Sequence, residues 1–313
     1  MAFTTNIGGN LIRGEVWGRE LKDILEDDLM ATGYVRWLSD FPEGDVFNIP
    51  SIGQATTYNY AEDEPVQYEA MDTGNFTFEI TEYLSSATYI TKKMMQDAFY
   101  TSELVSSFVP KQRRAIMEHV EKNVLALSNQ QTLADLNTIN DAPHRFVAGG
   151  TSDIIAPADF AKAKYSLRKA NVPLNSLVAI VDPATAYQLE TLTNLVNVSN
   201  NPQWEGLIGS GITTGMRFIK NVYGFDVYES TFLPEIASET IDGDTATNYV
   251  ANVFFSAAGD VLPFIGAWRQ MPEVDEEYNK DRQRYEYVTT ARYGTKLYRP
   301  ENLVTILSNP LVS

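Results

Sequence analysis

Three sets of residues in this sequence could do chemistry, and each lacks something that the chemistry needs. His119 and His144 are far apart, and only Glu118 and Glu121 stand near His119. A metal needs three or four convergent ligands, and no His-x-x-x-His pair begins such a set. Gly206, Gly209, Gly211 and Gly215 could cradle a phosphate, but the glycine that would complete Gly-x-Gly-x-x-Gly comes one position late. Asn201-Pro202-Gln203-Trp204 before it is not a strand, and no Gly-Lys-Ser/Thr follows, so the stretch reads as a loop. Glu273, Asp275, Glu276 and Glu277 could pair as acid and base. Acid–base work needs carboxylates in a cleft with displaced pKa values, whereas Lys280, Asp281, Arg282 and Arg284 make this a mixed-charge patch, solvated or at an interface. No Gly-x-Ser-x-Gly elbow and no cysteine supplies a nucleophile. The expectation is a protein that is not an enzyme, with no catalytic, metal-binding or cofactor-binding residues and no cofactor.

Charge narrows the choice further. The 24 basic and 41 acidic residues give a formal charge of −17, which opposes dedicated binding to nucleic acid or anionic lipid. Met1 to Trp17 has no signal-peptide core, and no apolar run approaches the ~18 residues of a membrane helix. With no cysteine, the chain suits a reducing cytoplasm. The distribution of charge is uneven. From Ser39 to Thr91 there is no Lys or Arg, while acids recur at Asp40, Glu43, Asp45, Glu62, Asp63, Glu64, Glu69, Asp72, Glu79 and Glu82.

The elements that carry these residues can be read in order. Residues 1–40 read as an extended arm with one short helix, Leu21, Ile24, Leu25 and Leu29 recurring at helical spacing. Residues 41–82 read as a long β-hairpin. Val46 to Ile52 goes out, Ala61 to Pro65 is the tip, and Phe76, Phe78 and Ile80 alternate with polar residues on the return. A two-stranded ribbon is marginal alone in water, and this one repels itself. It needs a partner surface. Residues 101–135 carry an apolar stripe of Val105, Val109, Ile116, Val120, Val124 and Leu127, predicting a helix of ~50 Å, kinked or begun at Pro110. Residues 151–265 read as an α/β unit. It has a helix from Pro157, a strand at Leu177–Val181, a helix from Pro183 and strands at Met216–Ile219 and Phe225–Tyr228. A polar insertion at Ser238–Asn248 precedes a strand at Tyr249–Phe255. Residues 266–313 are extended again, with Tyr285, Tyr287, Thr289, Ala291 and Tyr293 alternating with Glu286, Val288, Thr290 and Arg292, and they close with a short strand at Leu303–Leu307.

This order resembles the Hong Kong phage-type capsid fold of tailed double-stranded-DNA bacteriophages. Leu177 to Leu189 resembles the strand-then-helix of coat A-domains. Tyr223-Gly224-Phe225-Asp226-Val227-Tyr228-Glu229-Ser230 with Leu233-Pro234 is similar to a run common in coat proteins, and Tyr293-Gly294, Leu297, Arg299-Pro300 and Val304 to their closing segment. The resemblance implies an α+β fold divided into an N-terminal arm (1–40), an extended loop or E-loop (41–82), a P-domain with spine helix (83–150), an A-domain (151–265) and P-domain return strands (266–313).

It implies a major capsid protein, a structural coat protein of the virion. Such a subunit self-assembles as pentamers and hexamers into an icosahedral capsid around packaged double-stranded DNA, which it binds without sequence specificity. A separate scaffolding protein and a portal are the other expected partners, with no membrane. A procapsid would form in the bacterial host cytoplasm and mature there. Only ~40 residues precede the hairpin, too few for a fused scaffolding domain. Some relatives weld subunits through an E-loop lysine, which this hairpin lacks. The alternatives are an encapsulin-like compartment with enzyme cargo and an α/β enzyme using the 206–215 loop.

The functional residues expected on this reading are inter-subunit contacts. Glu62, Asp63 and Glu64 at the hairpin tip need cations, and the candidates are Lys92, Lys93, Lys111, Arg113 and Arg114 near the spine helix, or Arg269, Arg282 and Arg284 in the P-domain. Exposed pairs contribute little singly, but repetition over a shell can fix register.

Overall fold

The computed structural model describes residues 29–38, 46–52, 57–59, 62–63, 65–66, 68, 73–97, 101–132, 137–191 and 218–310. The arm helix other than Leu29, the 206–215 glycine stretch and Glu64 lie outside the described residues. In chain order come β1 (Val35–Leu38), β2 (Val46–Ile52), β3 (Thr73–Glu79), β4 (Glu82–Thr91), α1 (Lys92–Asp97) and α2 (Thr101–Ala126). The small strands β5 (Thr138–Ile139), β6 (Ala142–Pro143) and β7 (Arg145–Val147) lead to α3 (Pro157–Lys169), β8 (Leu177–Val181) and α4 (Pro183–Thr191). The rest is strand: β9 (Phe218–Val222), β10 (Phe225–Glu229), β11 (Glu235–Ile241), β12 (Asp244–Ser256), β13 (Phe264–Asn279), β14 (Arg284–Leu297) and β15 (Leu303–Ser308).

Alternation along β14 builds the first layer. Tyr287, Thr289, Ala291 and Tyr293 are buried, while Glu286, Val288, Thr290 and Arg292 on the other face are only partly covered. β14 sits inside a four-stranded sheet ordered β1-β13-β14-β4. The spine helix α2 lies on its buried face, with Ile116, Val120 and Val124 in the core. Gln112 Nε2 donates to the Tyr287 carbonyl at 3.3 Å and its Oε1 accepts from Thr289 Oγ1 at 2.8 Å. Farther along, Asn123 Nδ2 donates to the Tyr293 hydroxyl at 2.7 Å, and burial pushes that phenol up to about 12.

The second layer is a seven-stranded sheet ordered β7-β15-β12-β8-β10-β9, with β11 paired to β12. All of β8 and β15 is buried, as expected for strands covered on both faces. Phe160 of α3 meets Phe254 and Phe225 edge-on, with ring centroids 5.1 and 6.1 Å apart. The layers share a core in which Val120, Val124 and Leu125 of α2 pack with Phe255, Phe264 and Leu303.

Four expectations need correction. The spine helix stops at Ala126 and tightens into a 3-10 turn, Leu127–Thr132, so it spans about 39 Å, shorter than its stripe implied. Gln131 ties that turn to β15: its Nε2 donates to the Leu303 carbonyl and its Oε1 accepts from Thr305 Oγ1, both at 2.7 Å. The polar insertion is a hairpin, β11 pairing β12 around Asp242-Gly243, whose φ values of 53° and 96° suit a two-residue turn. The strand at Leu303–Leu307 does not return to the four-stranded sheet. As β15 it lies between β12 and β7 in the larger one, where its alternate faces are both covered. β7 (Arg145–Val147), which the sequence grouped with the spine helix, lies there too.

A single carboxylate fixes where the arm joins this body. Fully buried Glu121 on α2 accepts from the backbone N–H groups of Met30, Ala31 and Thr32 at 2.8, 2.6 and 3.0 Å, ahead of the 3-10 turn Ala31–Tyr34. Glu121→Ala leaves these donors unpaired and should lower subunit stability by about 3 kcal/mol. Urea melts of the two subunits check this; an unshifted midpoint would show that the clamp is energetically idle.

Candidate functional site

The ribbon formed by β2 and β3 is anchored at its root. Its register runs from Val46↔Glu79 to Ile52↔Thr73. Phe78 is buried, and with Phe76 and Ile49 it packs on Ile265, Ala267, Leu38 and Tyr298. Lys296 Nζ donates to the Thr77 carbonyl at 2.8 Å and lies 5.0 Å from the Phe76 ring centroid. β14 passes so close that a Cβ on Gly294 would meet the Glu79 carbonyl oxygen at 2.4 Å. Gly294 and Lys296 alternate with Tyr293, which faces α2, so the ribbon springs from the side of the sheet that α2 leaves uncovered. Farther out, among the described residues, Val66 is 57% and Tyr68 94% exposed.

The uncovered face continues away from the root. Register puts Tyr89 beside Glu286 and Glu277, and Tyr83 beside Arg292. Tyr83 and Tyr89 are exposed, as are Glu273, Asp275 and Glu277 on β13. Arg284 stacks over Tyr89 at 4.3 Å and pairs with Glu286, which it holds below the usual carboxylate range. At the far end the Lys92 N–H donates to the Gln283 carbonyl at 2.9 Å, bringing α1 to the β13–β14 turn. Lys92, Lys93, Lys280 and Arg282 are all exposed in this corner.

The expected contact residues therefore separate. Lys92, Lys93, Arg282 and Arg284 come together in the corner, and exposed Arg269 lies on β13 between corner and root. Lys111, Arg113 and Arg114 belong to α2, across the sheet, where Arg114 pairs with Glu118 at 3.3 Å. Glu62 and Asp63 are exposed in a turn, with Asp63 at φ 75°. Tyr83, Tyr89 and Arg292 were not singled out from sequence, although the alternation of β14 signalled their face. The acids Glu273, Asp275, Glu276 and Glu277 are exposed along β13, and Glu276 accepts from the Tyr287 hydroxyl at 3.2 Å.

The histidines have structural surroundings. Exposed His119 lies 3.3 Å from the Tyr293 hydroxyl. Buried His144 donates from Nδ1 to the Ala142 carbonyl at 3.0 Å, and desolvation lowers its pKa. Among the described residues no group of three His, Asp or Glu side chains could hold a metal.

A helix-backed sheet with one bare face, a protruding ribbon and a second sheet alongside defines a shell-forming subunit of the Hong Kong phage-type capsid fold. A family described as "Phage capsid protein" matches residues 75–306, so the chain belongs to the phage capsid proteins, which are structural and not enzymes. No curated protein matches. Among solved structures, the chain is similar to the "Cyanophage Pam1 capsid asymmetric unit" over 100% of both chains, at TM-score 0.74 and 14% identity. It is similar to a chain from "Mycobacterium phage Che8" over 97% of this chain and 99% of that one, at TM-score 0.69 and 17% identity. For the "Capsid structure of the Cyanophage P-SCSP1u" the coverage is 95% and 93%, at TM-score 0.70 and 14% identity. A phage capsid is favoured over the encapsulin-like alternative by the matching family.

Two outcomes follow from the geometry. Gly294→Ala should cost about 1–3 kcal/mol by driving the ribbon root off β14, read as a lower urea midpoint. His144 takes up a proton less readily folded than unfolded, so its contribution to stability is full above the unfolded value of 6.5 and falls as pH drops below it. Urea melts between pH 7.5 and 5.5 should show a smaller loss for His144→Asn than for the parent chain; equal losses would remove His144 from the acid response.

Proposed function

We propose that copies of this chain form pentamers and hexamers and close an icosahedral shell, each subunit laying its acidic ribbon across the bare sheet face of a neighbour. The tip, Glu62 to Glu64, then meets the corner made by Lys92, Lys93, Arg282 and Arg284. The observation that carries this is the shared side: ribbon root and bare face lie on the same surface of the sheet, opposite α2. Rotation about an axis normal to the shell keeps that surface facing the same way, so a neighbour's ribbon reaches the corner without crossing the layer. The cations of α2 are out of its path. Reach also agrees. A chain extended from Val46 to Glu62 spans at most about 55 Å, and the strand from Ala267 to Lys280 about 43 Å.

The peripheral P-domain is then the four-stranded sheet with α2, and the A-domain the seven-stranded sheet, including β7 and β15. Double-stranded DNA is held inside by closure rather than affinity, as suits a charge of −17. A separate scaffolding protein and a portal complete assembly in the host cytoplasm before maturation. Reversing Lys92, Lys93 and Arg282 to Glu should abolish megadalton particles while leaving a folded subunit. Converting Glu62, Asp63 and Glu64 to Lys should do the same, and combining both sets should restore shells in negative-stain images. Normal shells from the corner variant, with loss of shells on reversing Lys111, Arg113 and Arg114, would move the ribbon to the other face.

A further inference from the structure

The two outer strands of the four-stranded sheet are protected to different degrees. An edge strand offers unpaired N–H and C=O groups to any other strand, and proteins blunt such edges with charge, proline, bulges or shortness. β1 has two of these defences: it is four residues long and carries Arg36. β4 has none of them. It is ten residues long, and from Tyr83 to Thr91 the run Tyr-Leu-Ser-Ser-Ala-Thr-Tyr-Ile-Thr holds no charge and no proline. Its register with β14 is unbroken from Glu82↔Tyr293 to Thr91↔Arg284, whereas the β13–β14 register shifts twice. Among the described residues no strand lies beyond β4.

Backbone direction along β4 follows from one bond. The Lys92 N–H donates to the Gln283 carbonyl, so the even-numbered residues turn their backbone groups toward β14. Alternation then turns the N–H and C=O groups of Tyr83, Ser85, Ala87 and Tyr89 to the open edge. The side chains of these same four residues are exposed on the bare face. We propose that β4 of one subunit pairs antiparallel with β4 of a second copy about a two-fold axis normal to the sheet, Ala87 opposite Ala87. This rests on the shell reading, in which two-fold axes stand normal to the shell. Such an axis keeps both bare faces on one side, so opposite residues must share a face and turn their free groups toward each other. The odd-numbered residues satisfy both conditions. Centring on Ala87 uses the whole uncharged run and sets each Tyr89 against a small Ser85. It also brings Glu82 at one end to Lys92 at the other, twice by symmetry. The neutral run lets two chains of charge −17 approach edge to edge without like charges meeting. Pairing lies in the plane of the sheet, so the bare face stays open to a neighbour's ribbon, and Lys93, Arg282 and Arg284 remain for its tip.

The chain contains no cysteine, so a single introduced thiol can link only to its own copy. In particles of the full-length chain, oxidised Ala87→Cys should run as a covalent dimer, its Cα atoms about 5.5 Å apart. Val288→Cys, which register puts beside Ala87 one strand inward, lies about 14 Å from its mate and should stay monomeric. Particles whose Ala87→Cys chains stay monomeric overturn the edge pairing and leave the shell reading standing. A parent chain that forms no megadalton particles overturns the shell reading and this inference with it. Proline gives a check independent of disulfide geometry. Ala87→Pro removes an N–H that turns away from β14, so the urea midpoint of the subunit should hold. Particle yield should fall about tenfold or more, as the loss of two hydrogen bonds between subunits implies. Ser86→Pro, which removes an N–H turned toward β14, should instead lower the midpoint. Undiminished particles from Ala87→Pro also overturn the pairing.

Discussion

Everything else in the subunit depends on the polar side chains by which α2 and its terminal turn are tied to distant parts of the chain. Gln112 and Asn123 bind β14, Gln131 binds β15, and Glu121 binds the root of the arm. Apolar packing alone would let a helix slide or rotate over a sheet at modest cost, because hydrophobic contact is non-directional. A buried amide or carboxylate has few positions in which all its partners are satisfied, and leaving one unmet is expensive. These groups set α2 at one height and one rotation. Through it the four-stranded sheet is held at a fixed attitude to the seven-stranded one.

That fixed attitude makes one face of the smaller sheet covered and the other bare. The covered face takes the helix, and the bare one keeps Tyr83, Tyr89 and Arg292, residue types favoured where proteins meet. The ribbon root sits on the bare side because Gly294 lets the Glu79 carbonyl approach and Lys296 holds Thr77. Charge then divides along the chain. The segment from Ser39 to Thr91 carries acids and no cations, while Lys92 and Lys93 begin immediately beyond it and fold back to Arg282. Within one subunit this segregation is unfavourable. On the proposed contact it is complementary across two subunits.

Local pattern made much of this legible. Period-two alternation marked β3 and β14, and β8 announced itself as an apolar run followed by a proline-started helix. Non-local pairing was not legible. Nothing in Leu303–Leu307 says that it will lie between β12 and β7, because an all-apolar strand suits any doubly covered place in a sheet. The end of α2 was hidden for the same reason: the turn that follows it is tied through Gln131 to a strand more than 170 residues away. The contact residues were recognisable as charged but not as sided. Lys111 and Lys92 look alike in sequence, and only the sheet between them shows that one ligand cannot meet both.

The comparison with the Pam1 capsid chain, 14% identical yet similar along its full length, fits these dependencies. Few of the determinants require a particular residue. Alternation in β14 can be met by many pairs of polar and apolar side chains, and core volume can be conserved through many substitutions. Directional ties are scarcer, but an amide can be exchanged for another hydrogen-bonding pair if both partners change together. Contact charges are freer still, since reversing both sides of an interface preserves its complementarity. What cannot drift independently is the geometry: the helix must cover one face of the sheet, and the ribbon must leave from the other. Low identity with conserved shape is therefore the expected state of a subunit that assembles with its own copies, because on the proposed contact any change in the ribbon is presented at once to a face encoded by the same gene.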